Sequence, residues 1–155
     1  MTQPVHLMVF TLDEQLYALS ISTVDRIVRA VDVLPMPKMP EIVLGVINYH
    51  GQIVPVINIR RRFHLPERDI TPSNHFILAR TTRRPVVLVV DAILNVIECP
   101  PEVIVPVEKI VPTAEYIQGI AKLSDGMVLI HDLDTFLSLD EEQTIHQAMG
   151  DRVTG

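Results

Sequence analysis

Apolar and polar residues alternate in short runs along most of this chain, and proline or glycine breaks them before a long helix could form. Residues 6–12 carry Leu7, Met8, Val9, Phe10 and Leu12, which predicts a largely buried strand. Asp13-Glu14-Gln15 is the turn, and residues 16–21 return with Tyr17, Leu19 and Ile21 alternating against Ala18 and Ser20. Residues 23–29 fit either a further strand or a helical turn, since Val24, Ile27 and Val28 stand at i, i+3 and i+4. Leu34-Pro-Met-Pro-Lys-Met-Pro40 must be an extended, polyproline-like connector. Pro40 then suits the first position of a short helix over 41–44, which Gly45 ends.

The stretch GVINYHGQIVPVINI, residues 45–59, predicts a hairpin with strands at 46–49 and 53–57. Its turn, His50-Gly51-Gln52, needs Gly51 because a hairpin tip usually takes a residue with positive φ. Pro55 cannot donate to a ladder, so its strand is expected at an edge or at a bulge. Asn58 is a fitting N-cap for a short helix through Arg60, Arg61, Arg62 and Phe63.

After a polar connection over 64–74, the pattern repeats. Residues 76–79 and 86–90 echo the opening hairpin, and Ile93 and Val96 fall where Val24 and Ile27 fell. Two proline stretches, 99–101 and 106–112, take the place of the first connector. Glu115-Tyr-Ile-Gln-Gly119 answers Glu41-Ile-Val-Leu-Gly45, and each glycine leads into a hairpin, the second with Ser124-Asp-Gly126 at its tip. A repeat over 5–66 and 75–139 implies two small β units, and a unit of about 70 residues seldom builds an adequate core alone. The halves should therefore pack on each other and leave a groove between them. Asp140, with Gln143 three residues on and Ile145, Ala148 and Met149 beyond, predicts a terminal helix over 140–150, followed by a flexible tail over 151–155.

Composition narrows the class. The 155 residues are 48% hydrophobic and 21% charged, the balance of a folded globular protein. A lone cysteine, Cys99, and a start without a signal peptide place the chain in the cytoplasm. The wholly apolar run 86–90 is far short of the roughly 20 residues that cross a bilayer, so any membrane association would be indirect. A net charge of −6 opposes nucleic-acid binding, which asks for a basic face.

Site chemistry is sparse. His6, His64, His75, His131 and His146 show no metal-ligand spacing, no serine lies in a nucleophile elbow and no glycine-rich loop could cradle phosphate, so no cofactor or metal is expected. Arg60-Arg61-Arg62, and Arg80 with Arg83 and Arg84, read as solvated cationic faces. Asp132 suits a helix cap better than a catalytic pair with Asp134.

Over residues 5–140 the chain resembles the CheW family, the coupling proteins of bacterial chemosensory arrays. The resemblance is carried by Phe10 and Leu12, Tyr17 with Leu19 and Ile21, Leu34-Pro and Pro37, Gly45-Val46-x-Asn48-x-x-Gly51, Ile53-Val54-Pro55-Val56, Val89-Val90-Asp91 and Tyr116-x-x-Gly119. It implies a mainly β fold of two SH3-like five-stranded barrels forming one domain, with strands able to cross between them, and no catalysis. Its implied partners are the cytoplasmic tips of chemoreceptors and the regulatory domain of a CheA-type histidine kinase, which shares the fold. Val43, Val46, Asn48, His50 and Arg26 are then candidates for the receptor groove. Gly45, Gly51 and Gly119 hold the backbone, and Val128 and Leu129 are candidates for kinase contact. The family usually has Asn-x-Arg-Gly at Asn48-Tyr49-His50-Gly51, and often an acidic residue at Arg26. An acid–arginine lock between two strands is therefore lost, which implies a shifted receptor or kinase specificity. The competing class is a nucleic-acid module on tandem barrels, weakened by 5% aromatic content without tryptophan.

Overall fold

The computed structural model describes residues 3–106, 117–123 and 126–154. Strands β1 (Val5–Leu12), β2 (Gln15–Ser20), β3 (Val24–Arg29), β4 (Val43–Tyr49) and β5 (Gln52–Ile57) precede a one-turn helix α1 (Ile59–Arg62). Strands β6 (His75–Arg80), β7 (Pro85–Val90), β8 (Ala92–Cys99), β9 (Ile104–Pro106), β10 (Ile117–Leu123) and β11 (Gly126–His131) follow, and helix α2 (Leu139–Thr154) closes the chain. They form two sheets, one ordered β3-β6-β7-β5-β4 and one ordered β8-β1-β2-β11-β10-β9. The second sheet has a sixth, three-residue strand, β9, beyond the five expected of each barrel.

The two repeats exchange their first hairpins. β1 and β2 pair with β8 and β11, whereas β6 and β7 pair with β3 and β5. Each barrel is therefore built from both halves of the sequence.

The cause is visible in side-chain alternation, because the strands at the seam bury both faces. On β1, Leu7 and Val9 enter the second barrel with Ala18, Cys99, Ala121, Val128 and Ile130, while Met8, Phe10 and Leu12 point the other way. On β6, Phe76 and Leu78 fill the first barrel with Ile47, Val54, Val56 and Val87, while Ile77 and Ala79 leave it. All the side chains that leave the barrels meet in one shared core, which Phe136, Ile145 and Met149 complete. Separating the halves would expose this core to water, so neither is expected to stand alone.

Several local expectations change. Residues 23–29 settle as strand β3, after a 3-10 turn at Ile21–Thr23. Residues 41–44 form no helix: a turn leads into β4 and Gly45 sits at a bulge opposite Val56. Leu34 and Val46 exchange backbone hydrogen bonds at 2.8 and 2.9 Å, and Ile42 and Val43 are buried, so strand pairing overrides the local helix signal. Pro55 lies in an interior strand, yet the ladder from β5 to β7 covers only Val56 and Ile57 and so begins just past the proline. Helix α2 is capped by Ser138 rather than Asp140: Ser138 Oγ accepts from the Glu141 N–H at 3.1 Å, and Glu141 accepts from the Ser138 N–H at 2.8 Å. That reciprocal pair is a capping box that satisfies two orphan donors. The helix also passes Gly150 and runs to Thr154 through the stretch assigned to a tail, since an interior glycine costs only about 1 kcal/mol against alanine.

Candidate functional site

The β4–β5 hairpin turns in two residues, with His50 at φ 51° and Gly51 at φ 86°. Two successive positive φ values match the twist of the flanking strands. Asn48 Oδ1 accepts from the Gly51 N–H at 2.8 Å, so this groove candidate fastens the turn. The His50 ring stands edge-on to Tyr49, with centroids 4.3 Å apart.

Below the turn, His50 and Arg26 line one cavity of about 350 Å³, together with Asp25, Gln52, Arg80 and Pro85. The buried residues Val54, Leu78, Ala79 and Val86 also line it. Arg80 and Asp25 lie 3.4 Å apart, while Arg26 forms no ion pair among the described residues. Two of the five groove candidates thus share a cavity, and the others lie elsewhere. Val43 is buried in the shared core, and Val46 is buried where the connector bridges β4 through Leu34. The exposed apolar residues of this hairpin are Leu44 and Ile53, the latter opposite Asn48 in register. Val128 is fully buried in the second barrel and Leu129 packs on the shared core, so Val128 offers no surface to a partner here.

Gly45 and Gly119 occupy equivalent bulges for one reason: another stretch of chain passes close over each, the proline connector at Leu34 over the first and strand β9 over the second. A Cβ on Gly45 would lie 2.5 Å from the Leu34 carbonyl oxygen, and one on Gly119 2.9 Å from a methyl of Ile104.

Of the triple arginine only Arg61 is exposed as a solvated face would be. Arg60 is buried; it donates to Asp13 at 2.9 Å, to the Pro66 carbonyl at 3.0 Å and to both oxygens of Asp91 at 2.8 Å. The Asp13 N–H also donates to Asp91, at 2.8 Å. Burial would raise the Asp91 carboxyl, but the hydrogen bonds from Arg60 and Asp13 outweigh it and hold the group below its usual range. Glu141 is likewise held low against its burial by the Ser138 N–H and Arg62, 2.6 Å away. Arg84, read as part of a solvated tip, pairs with Glu142 of α2 at 2.9 Å. Sequence spacing could not supply these pairs, since the partners of Arg60 stand 47 and 31 positions away.

The edges differ in character. β3, at the rim of the first sheet, carries Asp25, Arg26 and Arg29, the charge that usually blunts an edge. β8, at the rim of the second, exposes Leu94 and Val96 by 52% and 54%. Among the described residues no three histidine, cysteine or acidic side chains are grouped to hold a metal, and no helix is long and apolar enough to cross a membrane.

Two hairpin-swapped β-barrels locked by a common core, with open rims, define the class of a β scaffold that works through its surface. A family model described as the CheW-like domain matches residues 6–141, and the chain belongs to that family. It is 30% identical over 150 residues to the chemotaxis protein CheW of Treponema pallidum, covering 90% of this chain and 85% of that protein. With the chemotaxis protein CheW of Thermotoga maritima it shares 26% identity over 140 residues, 90% of each. Among solved structures, the scaffolding protein TtCheW of Thermoanaerobacter tengcongensis superposes with a TM-score of 0.80 at 32% identity, covering 89% of this chain and 95% of that one. The family is one of scaffolds and adaptors of chemotaxis rather than of catalysts.

Proposed function

We propose that this chain is a non-catalytic adaptor of a bacterial chemosensory array, joining the cytoplasmic tips of chemoreceptors to the regulatory domain of a CheA-type histidine kinase. The observation that carries the reading is the family match along residues 6–141. The shared core supports it, because a rigid two-barrel body can hold two partners in a fixed relation. The kinase domain pairs with the apolar rim at β8, where Leu94 and Val96 flank unpaired backbone. The receptor helix lies against the β4–β5 hairpin, over Leu44, Ile53 and the turn at His50. The protein acts in the cytoplasm and meets the membrane only through receptors, with no cofactor and no nucleic acid.

The test is a binding assay of the full chain against a receptor tip and, separately, the kinase regulatory domain, both from the same organism. Both should bind, and Val96→Lys should weaken the kinase domain by at least about tenfold while leaving the receptor tip unchanged, since a charge on the rim opposes strand addition. Retention of neither partner, with tight retention on nucleic acid, would overturn the assignment.

A further inference from the structure

We infer that the cavity beneath the β4–β5 turn receives an acidic side chain from the docked receptor tip, with Arg26 as its ion-pair partner and His50 as a second polar contact. The inference rests on the adaptor reading and adds what the receptor must present.

Charge balance and an apolar lining together single out this cavity. In the hollow beside α2, Arg84 is paired with Glu142 and Arg83 has no ion pair among the described residues, but no apolar side chain lines it. In the hollow beside Arg60, the guanidiniums of Arg60 and Arg68 both have carboxylates within 3.2 Å, on Asp13 and Asp91. In the hollow along α1, Arg61 is paired with Glu41 and Arg62 with Glu141. Beneath the turn, the one lining carboxylate, Asp25, is engaged by Arg80, which leaves Arg26 without a counter-charge among the described residues. The cavity therefore carries an uncompensated guanidinium at its wall.

Its remaining features suit a carboxylate. Val54, Leu78, Ala79 and Val86 line the cavity beside the charged groups, and an ion pair gains strength where apolar walls thin the water. A guanidinium presents a planar fork that matches a carboxylate with two parallel hydrogen bonds. The volume, about 350 Å³, equals about twelve waters at some 30 Å³ each; it admits one side chain but no helix. His50 lines the opening at the first position of the two-residue turn, which the Asn48 bond fastens and where its ring stands edge-on to Tyr49.

The experiment measures the affinity of the full chain for the receptor tip and for the kinase regulatory domain of the same organism, at two salt concentrations. Arg26→Glu should weaken the tip by at least about tenfold and leave the kinase domain unchanged, the unchanged arm reporting an intact fold. Reversing one tip glutamate or aspartate to arginine should then restore binding to Arg26→Glu within about threefold. Arg26→Gln, which keeps the side chain's length, should flatten the salt dependence of tip binding and serves if Arg26→Glu does not fold. Wild-type tip affinity in Arg26→Glu, an unchanged salt slope in Arg26→Gln, or no rescuing reversal would overturn the inference while leaving the adaptor reading in place. Failure of the unaltered chain to bind either partner would remove both.

Discussion

After β5 the chain reads Asn58-Ile59-Arg60, and after β11 it reads Asp132-Leu133-Asp134; the two junctions do the same work with opposite chemistry. Asn58 accepts from the Arg61 N–H at 3.2 Å and Asp132 from the Asp134 N–H at 3.1 Å, so each caps a short turn. Ile59 and Leu133 both enter the shared core. The third residue of each reaches a swapped hairpin: Arg60 donates to Asp13 in the β1–β2 turn, and Asp134 accepts from the Thr82 N–H in the β6–β7 turn at 2.8 Å. A cation buried among carboxylates on one side thus answers an exposed carboxylate holding a backbone donor on the other. The duplicated frame is fixed by strand pairing and apolar burial, and polar residues at equivalent points have been free to diverge.

That view is broken or sharpened by substituting equivalent positions in pairs, and the bulge glycines come first because Gly45 should show the largest effect. Gly45→Ala forces a Cβ against backbone at positive φ; overpacking and strain together should cost about 4 kcal/mol in chemical denaturation. At Gly119 the obstacles are a side-chain methyl at 2.9 Å and the Val105 carbonyl oxygen at 3.0 Å, without the positive φ of Gly45, and Gly119→Ala should cost about 2 kcal/mol. Equal losses would mean that the stretches passing over the two glycines are equally unyielding.

Next come the cross-barrel links. Arg60→Ala leaves Asp91 without its ion-pair partner and Asp13 with only the exposed Arg68, and should cost about 3 kcal/mol, the low end for breaking a buried pair because both carboxylates keep some water. Asp134→Ala removes one exposed hydrogen bond and should cost under about 1 kcal/mol. The caps come third, because their larger member should lose less than Arg60→Ala. Asn58→Ala should cost about 2 kcal/mol, since its buried amide also donates to Glu67 at 2.8 Å, and Asp132→Ala about 1 kcal/mol.

The hairpins were legible in the sequence because each is local: alternation gives the strands, and residues such as Gly51 and Asn58 mark turn and cap. Which barrel each hairpin joins was not legible, since β1 and β6 carry the same apolar pattern on both faces and the choice is made by distant partners. Arg60 was misread for the same reason, as its carboxylates arrive from the β1–β2 turn and the end of β7. The capping box at Ser138 and Glu141 was present in the sequence, but Asp140 and Gln143 fit the same pattern two residues on, and only the hydrogen bonds decide. At the candidate site, Arg26 and His50 were connected by resemblance alone; no periodicity links an edge strand to a turn in another hairpin.

Acid is the mildest probe of the first junction. The folded Asp91 carboxyl is held below its unfolded value of about 3.9, chiefly because the Arg60 and Asp13 hydrogen bonds overcome its burial. A carboxyl depressed on folding contributes stability that is complete above the unfolded value and fades as pH falls through the folded one, because the unfolded chain takes up its proton first. Denaturation midpoints followed from pH 6 downward should therefore fall for the wild type once pH drops below about 4. Asp91→Asn starts lower, because Arg60 loses a charged acceptor, but its acid limb should be shallower and the two curves should converge. Glu141→Gln should flatten the same limb, since Glu141 is depressed in the same direction. Parallel curves for wild type and Asp91→Asn would mean that the Arg60 cluster holds the swapped hairpin by geometry alone, and the two junctions would then differ in polarity without differing in their response to acid.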